Sequence, residues 1–325
     1  MTESRRELGL GLQTDMATGE YGALARTAED AGFDVVTAFN DLWFQPALPA
    51  LLEVARATTR VRIGPSCLNP FTVHPVEIAG QIAVLDAAAD GRAFLGLARG
   101  SWLEPIGIEQ THPVEVIRDA WEIIRRLLAG DDSGYDGGRF SLPPGKRLRY
   151  PVLRGSVPLL VGTWSPGLSA FAGEVAQELK VGGSANPDLV PVVREWIGNP
   201  DVRIVLGAVT VVDEDRGRAR AIARREVAMY LAVLAELDRT FSVDPDLVSR
   251  VRALVAYGDD EGAGALISDD VLDRFAFAGT PLQIAAQSEA VFDAGAGRVD
   301  FGTPHGVPET HGVDLLCRKV LPRLR

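Results

Sequence analysis

Residues 62–102 read RIGPSCLNPFTVHPVEIAGQIAVLDAAADGRAFLGLARGSW, and this stretch decides the fold. Val61–Gly64 and Ala93–Ala98 are short apolar runs of strand length, and the segment between them, Pro75–Ala89, has the apolar spacing of a helix. A strand, a helix and a second strand in this order predict two parallel strands joined by a right-handed crossover.

The same alternation extends in both directions along the chain. Eight apolar runs are predicted strands: Leu8–Leu12, Val35–Phe39, Val61–Gly64, Ala93–Ala98, Pro158–Gly162, Glu178–Gly182, Val202–Val212 and Arg298–Gly302. The predicted helices are Tyr21–Ala31, Leu48–Thr58, Pro75–Ala89, Pro113–Ala129, Gly167–Gln177, Leu189–Ile197, Pro281–Ala294 and Leu315–Leu321. Eight strand–helix units favour a closed α/β barrel, the (β/α)8 TIM barrel, over an open sheet. We therefore expect residues 1–325 to form a single domain.

Two stretches interrupt this rhythm. Ser133–Val157 is rich in Gly, Pro and Arg, which predicts a loop insertion after the fourth helix. Glu214–Phe277 is long and mostly helical in pattern, with Ala219–Leu237 as its clearest amphipathic part. It follows the seventh strand, where a barrel can carry a lid.

Composition limits the possible functions. The 325 residues carry a net charge of −11, which argues against a nucleic-acid partner but leaves room for an anionic cofactor held by backbone N–H groups. The two cysteines, Cys67 and Cys317, form no disulfide framework, as is usual in a reducing cytoplasm. We find neither a signal peptide nor an apolar window of membrane-spanning length, so we expect a cytoplasmic protein without a membrane anchor. No His, Cys or carboxylate pair has zinc-ligand spacing, so we expect no metal.

Glycines and small polar residues follow four of the predicted strands, in Gly64–Pro70, Gly96–Trp102, Gly162–Gly167 and Gly182–Pro187. Glycine allows a backbone to approach a ligand closely, and barrel enzymes place their active sites at the C-terminal ends of the strands. Within the third stretch, Ser165 is a predicted helix N-cap, and the N–H groups at a helix start bind anions. A turn, loop or capped helix without any ligand remains the alternative for each stretch.

These motifs, together with VPLLVGTWSPGLSAFAGEVAQELKVGGSANP (157–187) and AGAGRVDFGTPHG (294–306), resemble the bacterial-luciferase-like superfamily. Within it, the chain is similar to the branch of coenzyme F420-dependent (deazaflavin) enzymes that includes methylenetetrahydromethanopterin reductase. The resemblance covers nearly the whole chain. It implies a cofactor at the barrel mouth, and a β-bulge after the third strand that supports the central ring of the cofactor. It also implies that the Ser66–Cys67 peptide is cis.

The resemblance further assigns a set of cofactor contacts at the strand ends. They are Asn40, Ser66, Cys67, Leu68, Asn69, Gly96, Ala98, Arg99, Gly100, Ser101, Gly162, Thr163, Trp164, Gly183, Ser184, Ala185 and His305. The other histidines, His74, His112 and His311, stand beside predicted helices, and we expect them to be structural.

The chain departs from the family at the positions that supply acid–base groups. Many relatives carry an Asp-His pair after the second strand, where this chain has Asn40-Asp41. The sugar-phosphate dehydrogenase branch also uses a tryptophan and a glutamate at positions that here hold Gln45 and Ser101, which makes that activity doubtful. Asp41 and Glu104 remain as candidate catalytic carboxylates.

These observations predict an F420-dependent oxidoreductase that transfers hydride between the cofactor and a small organic substrate. Two alternatives stay open, an FMN-dependent monooxygenase of the same superfamily and a non-catalytic flavin-binding barrel. We also expect a homodimer, because the small residues around Ala79–Ala83 and Ala87–Ala89 permit close helix contact and family members commonly pair through helices in this region.

Overall fold

The computed structural model describes residues 5–325 and contains eleven strands and thirteen α-helices within them. The strands are β1 (Glu7–Leu12), β2 (Val35–Ala38), β3 (Arg62–Pro65), β4 (Leu95–Ala98), β5 (Tyr135–Asp136), β6 (Ser141–Leu142), β7 (Leu159–Gly162), β8 (Glu178–Gly182), β9 (Arg203–Val212), β10 (Ala276–Gly279) and β11 (Arg298–His305).

The first seven helices are α1 (Glu20–Ala31), α2 (Ala47–Ala57), α3 (Pro75–Ala88), α4 (Pro113–Ala129), α5 (Pro166–Val175), α6 (Leu189–Ile197) and α7 (Arg216–Leu237). They are followed by α8 (Pro245–Tyr257), α9 (Asp260–Ala265), α10 (Asp269–Phe275), α11 (Pro281–Asp293), α12 (Glu309–Leu315) and α13 (Leu321–Leu324). A short 3₁₀ turn occupies Glu104–Ile106, and a π-helical turn, Leu316–Val320, joins α12 to α13.

Eight parallel strands form the barrel in the order β3-β2-β1-β11-β9-β8-β7-β4. The ring closes between β3 and β4 through the bridges Ile63↔Ala93 and Leu68↔Leu97. Backbone hydrogen bonds accompany this closure, including Phe94 N donating to the Ile63 carbonyl at 2.9 Å. The predicted (β/α)8 barrel and all eight predicted strands are confirmed.

The structure corrects three details of the prediction. The Ser133–Val157 insertion is not only loop, because β5 and β6 pair in it as a small antiparallel hairpin. The second insertion ends in an extra strand, β10, which pairs in parallel with the C-terminal half of β9. Its sequence, Ala-Phe-Ala-Gly, is too short and too poor in β-branched residues to be recognised as a strand. The last helical segment begins at Glu309 rather than Leu315.

Side chains alternate along each strand between the outer helix layer and the barrel interior. Val35, Phe94 and Leu160 meet inside the barrel as an apolar layer. Charged side chains fill the rest of the lower interior, where Arg298 lies 2.6 Å from Glu178 and 2.8 Å from Asp300. The interior is therefore a packed core that is only partly apolar.

The second insertion packs on the barrel through its own apolar cluster. Val227 and Leu231 of α7 are buried in it together with Phe275 at the end of α10. Arg220 of α7 is also buried and is 2.7 Å from Asp273 of α10. The insertion is therefore a compact unit that packs beside β9 and includes β10.

Candidate active site at the barrel mouth

The segment after β3 forms the floor of the barrel mouth on one side. The Ser66–Cys67 peptide is cis, as predicted. Ser66 N donates to the carbonyl of Ala38 on β2, and Leu68 N donates to the carbonyl of Gly96 on β4, both at 2.9 Å. This segment is thus held between the two neighbouring strands with its backbone facing the mouth.

Glycines leave the upper part of the barrel open. Gly162 and Gly182 continue the inward-facing rows that contain Leu160 on β7 and Lys180 on β8. A Cβ atom on Gly162 would lie 2.9 Å from Cys67 Sγ, whereas a Cβ atom on Gly182 would meet nothing within 4 Å. The mouth therefore has free space beside Gly182 and a closely packed floor at Gly162 and Cys67, and these residues fit a planar ring.

The loop after β4 is braced where it passes the mouth. Gly100 has φ +80° and lies against Asn69, so a Cβ atom there would be 2.9 Å from Asn69 Nδ2. The side chain of Gln110 donates to the carbonyls of Gly100, at 2.9 Å, and Arg99. Arg99 and Ser101 are exposed, so of the predicted contacts in this loop they are the freest to meet a ligand.

The predicted contacts after β7 lie where β7 passes into α5. Ser165 caps this helix, since its hydroxyl accepts from Leu168 N at 3.3 Å. Thr163 Oγ1 accepts from Ser165 N at 2.9 Å, and Trp164 Nε1 donates to the carbonyl of Gly182 at 2.8 Å. The tryptophan ring thereby links the ends of β7 and β8.

Four predicted contacts turn away from the open mouth. Gly183 packs on Leu234 of α7, and Ser184 is buried behind it. Ala185 lines a separate cavity of about 460 Å³ with Arg274 and other residues. His305 is fully buried, with Nδ1 2.9 Å from Glu309 and Nε2 3.1 Å from the Phe301 carbonyl. The structure therefore does not place these four residues at the open space of the mouth.

Of the two candidate carboxylates, Asp41 is the one held in a desolvated position. Its Oδ2 lies 3.4 Å from Gln13 Nε2, and burial raises its pKa above the ordinary range, a shift that the hydrogen bond from Gln13 partly offsets. Glu104 is exposed in the 3₁₀ turn. The side chain of Asn40 is hydrogen-bonded to the backbone, since its Oδ1 accepts from Ala47 N at the start of α2 at 3.0 Å.

Tyr230 of α7 is a candidate that the sequence analysis missed. Its ring lies 5.5 Å from the ring of Trp102, at an interplanar angle of 34°. Burial, together with the charges of Asp41 and Glu226, raises the pKa of Tyr230 to about 12. The pair joins the insertion to the loop after β4, so α7 crosses the rim from the end of β8 to this loop. The sequence signal was only the aromatic residue inside an amphipathic helix.

Lys180 of β8 is the second residue that was missed. It is buried in the floor, with Nζ 2.8 Å from Asp300 and 3.0 Å from the hydroxyl of Ser66. The same ammonium lies 5.6 Å from the centre of the Phe39 ring. A lysine within a predicted strand gives no sign in the sequence that its side chain is buried beneath the barrel mouth.

The part of the chain described, residues 5–325, contains no cluster of three His, Cys, Asp or Glu side chains arranged to hold a metal ion. Over the same residues, no helix has the length and apolarity required for a membrane span.

An eight-stranded parallel barrel with an open, glycine-lined mouth defines an enzyme-type barrel with a ligand site at the C-terminal ends of its strands. Comparison with known sequences gives the family. Residues 3–298 match the profile of the luciferase-like monooxygenase family, and the chain belongs to this family.

Individual relatives cover almost the whole chain. The 5,10-methylenetetrahydromethanopterin reductase of Archaeoglobus fulgidus is 28% identical, over 98% of this chain and 100% of its own length. The F420-dependent glucose-6-phosphate dehydrogenase of Kineococcus radiotolerans is 26% identical, over 95% and 94%. Among solved structures, the coenzyme F420-dependent tetrahydromethanopterin reductase of Methanopyrus kandleri superposes with a TM-score of 0.89 at 23% identity, covering 99% of this chain and 100% of that one. This last likeness establishes the fold.

Proposed function

We propose that the protein is an F420-dependent oxidoreductase that binds the deazaflavin ring in the barrel mouth. The observation that carries this proposal is the glycine-lined space above the Ser66–Leu68 segment, in a chain whose full-length relatives include F420-dependent enzymes. When bound, the cofactor supplies the hydride carrier, and the protein supplies binding, orientation and electrostatics.

The residues around the mouth contribute in different ways to binding and orienting the cofactor. The backbone of Ser66–Leu68 supports one face of the ring, and Gly162 and Gly182 leave room beside it. Arg99, Ser101 and the N-terminus of α5 surround the space with donors for the polar parts of the cofactor. Trp102 and Tyr230 form an aromatic rim that excludes water from the space beneath it.

Asp41 is the group we assign to proton handling in this site. Because burial raises its pKa, it holds a proton at higher pH than an exposed aspartate and can pass it to a bound substrate. Glu104 is a second candidate, and its exposed turn would have to close over the mouth to take part. The small organic substrate itself is not specified by these residues.

One observation favours a second candidate function. The matching family profile is that of luciferase-like monooxygenases, which makes an FMN-dependent monooxygenase the alternative. A non-catalytic flavin-binding barrel is the other one, since Asn40 is used to start α2 and offers no acid–base chemistry.

The three functions separate in one experiment. Purified protein is titrated with coenzyme F420 and with FMN while the fluorescence of each ring is followed. We expect tight binding of F420 and weak binding of FMN, and then anaerobic oxidation of reduced F420 with a suitable acceptor. Tight FMN binding with oxygen-dependent turnover would support the monooxygenase instead. Binding without turnover against a panel of donors and acceptors would support the non-catalytic barrel.

We propose in addition a homodimer that pairs through the outer face of α3. Val84 on this helix is 46% exposed, and Tyr150 and Leu153 are apolar side chains exposed on the loop packed beside it. Gly80, against which Tyr150 lies, and Val84 are one helical turn apart on α3, and exposed apolar side chains grouped in this way favour an interface. Light scattering should give a dimer mass for the native protein and a monomer mass for Val84→Glu, with Val233→Glu on α7 as the matched control. A native monomer at micromolar concentration would contradict this.

We retain a cytoplasmic location as part of the same proposal. Cys67 and Cys317 are both free thiols, which fits a reducing compartment.

A further inference from the structure

The lower barrel contains a network of seven charged side chains that is not neutral. Its carboxylates are those of Glu7, Glu178 and Asp300, and its cations are those of Arg62, Arg203, Arg298 and Lys180. Four cations therefore share three carboxylates. Within residues 5–325 no further carboxylate lies within ion-pair distance of these four cations.

The two ends of this network differ in their access to solvent. Arg62 and Arg203 are partly exposed at the N-terminal end of the barrel, where salt and water screen their charge. Lys180 is the member nearest the mouth and is almost fully buried. The four most buried members, Lys180, Arg298, Glu178 and Asp300, carry two charges of each sign, so the formal excess of one cation lies at the exposed end. What Lys180 offers the mouth is a buried, charged hydrogen-bond donor, whose electrostatic interactions are strong where the dielectric is low.

The contacts of Lys180 point its ammonium group towards the floor of the mouth. One N–H is directed to Asp300 and a second to the hydroxyl of Ser66, which belongs to the segment beneath the open space. An ammonium group has three donors, so one remains for a ligand. The Phe39 ring on the adjacent side adds a cation–π contact that holds the group in place.

Lys180 has one carboxylate in direct contact, that of Asp300, and two further titratable groups, Cys67 and Asp41, lie on the side of the mouth. Burial alone would raise the pKa of Asp300, but the charges of Arg298 and Lys180 outweigh it and keep this carboxylate ionised. Burial raises the pKa of Cys67 to about 11, so the thiol beside the floor is neutral near pH 7. Asp41 is the remaining acid on this side, and burial raises its pKa above that of an exposed aspartate.

We propose that Lys180 stabilises charge in the proposed reaction. Its ammonium group would stabilise negative charge on a cofactor ring bound over the Ser66–Cys67 floor. The inference rests on the proposed function. Lys180 favours the anionic form of the ring over the neutral form, because a charge near the ring nitrogens tunes the electronics of a flavin-type cofactor. Because Lys180 lies against Ser66, it would act on a ring bound in the mouth from the side of the Ser66–Cys67 floor.

The test measures the bound ring itself. Coenzyme F420 is bound to native protein, to Lys180→Met and to Lys180→Arg, and the loss of the ring proton is followed by visible absorbance as pH is raised. We expect the ring pKa to rise by roughly one unit or more in Lys180→Met, which is a tenfold change in the ionisation equilibrium. Lys180→Arg should stay near the native value, and Lys146→Met on the exposed loop is the matched control.

Lys180→Met leaves Asp300 with one cation fewer and can lose stability for that reason. The double variant Lys180→Met, Asp300→Asn removes both charges of the pair and controls for the unpaired carboxylate. Because the loss of the Asp300 charge offsets part of the loss of the ammonium group, we expect a smaller rise in the ring pKa than in Lys180→Met, with a folded circular dichroism spectrum. An unchanged ring pKa in folded Lys180→Met that still binds F420 would overturn this inference alone. Absence of F420 binding by the native protein would overturn the proposed function and this inference with it.

Discussion

At the scale of single residues, the shape of the mouth depends on glycine positions as much as on the side chains around it. Gly96 and Gly182 both lack a Cβ, but for different reasons. A Cβ atom on Gly96 would lie 2.1 Å from the Pro65 carbonyl oxygen, so that glycine is required for the packing of β4 on β3. At Gly182 the space is open, so that glycine is not required by the fold.

Gly182→Ala therefore separates binding from folding. We expect the free energy of unfolding to change by less than about 0.5 kcal/mol, because nothing lies within reach of the added methyl group. Affinity for F420 should fall about tenfold or more, because the methyl group enters the space proposed for the ring. Gly138→Ala in the hairpin insertion, also with nothing within 4 Å, is the matched control. Equal F420 affinity in both variants, by fluorescence titration, would place the ring elsewhere.

Asp41 gives a prediction for pH. Its pKa in the folded protein is raised by burial, so the folded state binds this proton more tightly than the unfolded chain, and stability falls as pH rises through the window above about 3.9. Asparagine cannot ionise, so Asp41→Asn removes this loss of stability with rising pH. We expect the variant to be more stable than the native protein at pH 7 and equal to it near pH 3, by urea unfolding. Asp15→Asn, at an exposed site, is the control, and a loss of stability at pH 7 in Asp41→Asn would contradict the assignment.

At the scale of elements, the order of strands and helices could be predicted well. Most barrel strands are compact apolar runs, β8 and β11 alternate apolar with charged residues, and each helix between them has its own apolar spacing, so local sequence contains the signal. The strand ends around the mouth could be predicted for the same reason, since Gly and small polar residues follow the runs directly.

The features that could not be predicted from the sequence depend on contacts between distant parts of the chain. Lys180 and Ser66 are 114 residues apart in sequence, and their hydrogen bond leaves no local pattern. Tyr230 reaches the mouth only because α7 folds back over its rim. β10 is a strand only because the C-terminal half of β9, which β8 leaves unpaired, offers it a partner. Gly183 and His305 follow predicted strands, but Leu234 of α7 packs on Gly183 and Glu309 of α12 contacts His305.

The attachment of α7 to α10 gives a prediction for the insertion. Arg220 is buried and contacts Asp273 at 2.7 Å and Asp269 at 3.0 Å, so Arg220→Met leaves two carboxylates without this partner. We expect limited proteolysis within 238–275 to become several times faster, with a loss of about 1–3 kcal/mol in the stability of the insertion. Arg252→Met on α8, whose ion pair with Glu236 is exposed, should leave the cleavage rate unchanged. Equal rates in the two variants would mean that this pair does not hold the insertion.

At the scale of the whole molecule, the charged network in the barrel interior connects five of the eight barrel strands, β1, β3, β8, β9 and β11. Glu178 accepts from Arg298 at 2.6 Å and from Arg62 at 2.7 Å, and so joins β8 to β11 and β3 across the barrel. Burial alone would raise the pKa of Glu178, but the charges of Arg298 and Arg62 outweigh it and hold the pKa below the ordinary range. The depressed pKa means that the ionised form stabilises the folded barrel.

Glu178→Gln tests this network. We expect a loss of about 3–5 kcal/mol at pH 7, because buried cations lose their partner. Since the folded pKa is depressed, the stabilisation by Glu178 is present above about pH 4.3 and is lost as pH falls, so the native protein should lose more stability in acid than the variant. Glu174→Gln, which breaks an exposed pair with Arg118, should cost less than about 1 kcal/mol. A small and pH-independent loss in Glu178→Gln, by urea unfolding from pH 3 to pH 8, would contradict the role of the network.

The position of the cofactor is the central claim, and a crystal structure with bound coenzyme F420 tests it most directly. We predict that the deazaflavin ring lies on the Ser66–Leu68 backbone, in van der Waals contact with Gly162 and Gly182. A ring bound away from this floor, for example in the cavity lined by Ala185 and Arg274, would contradict the account.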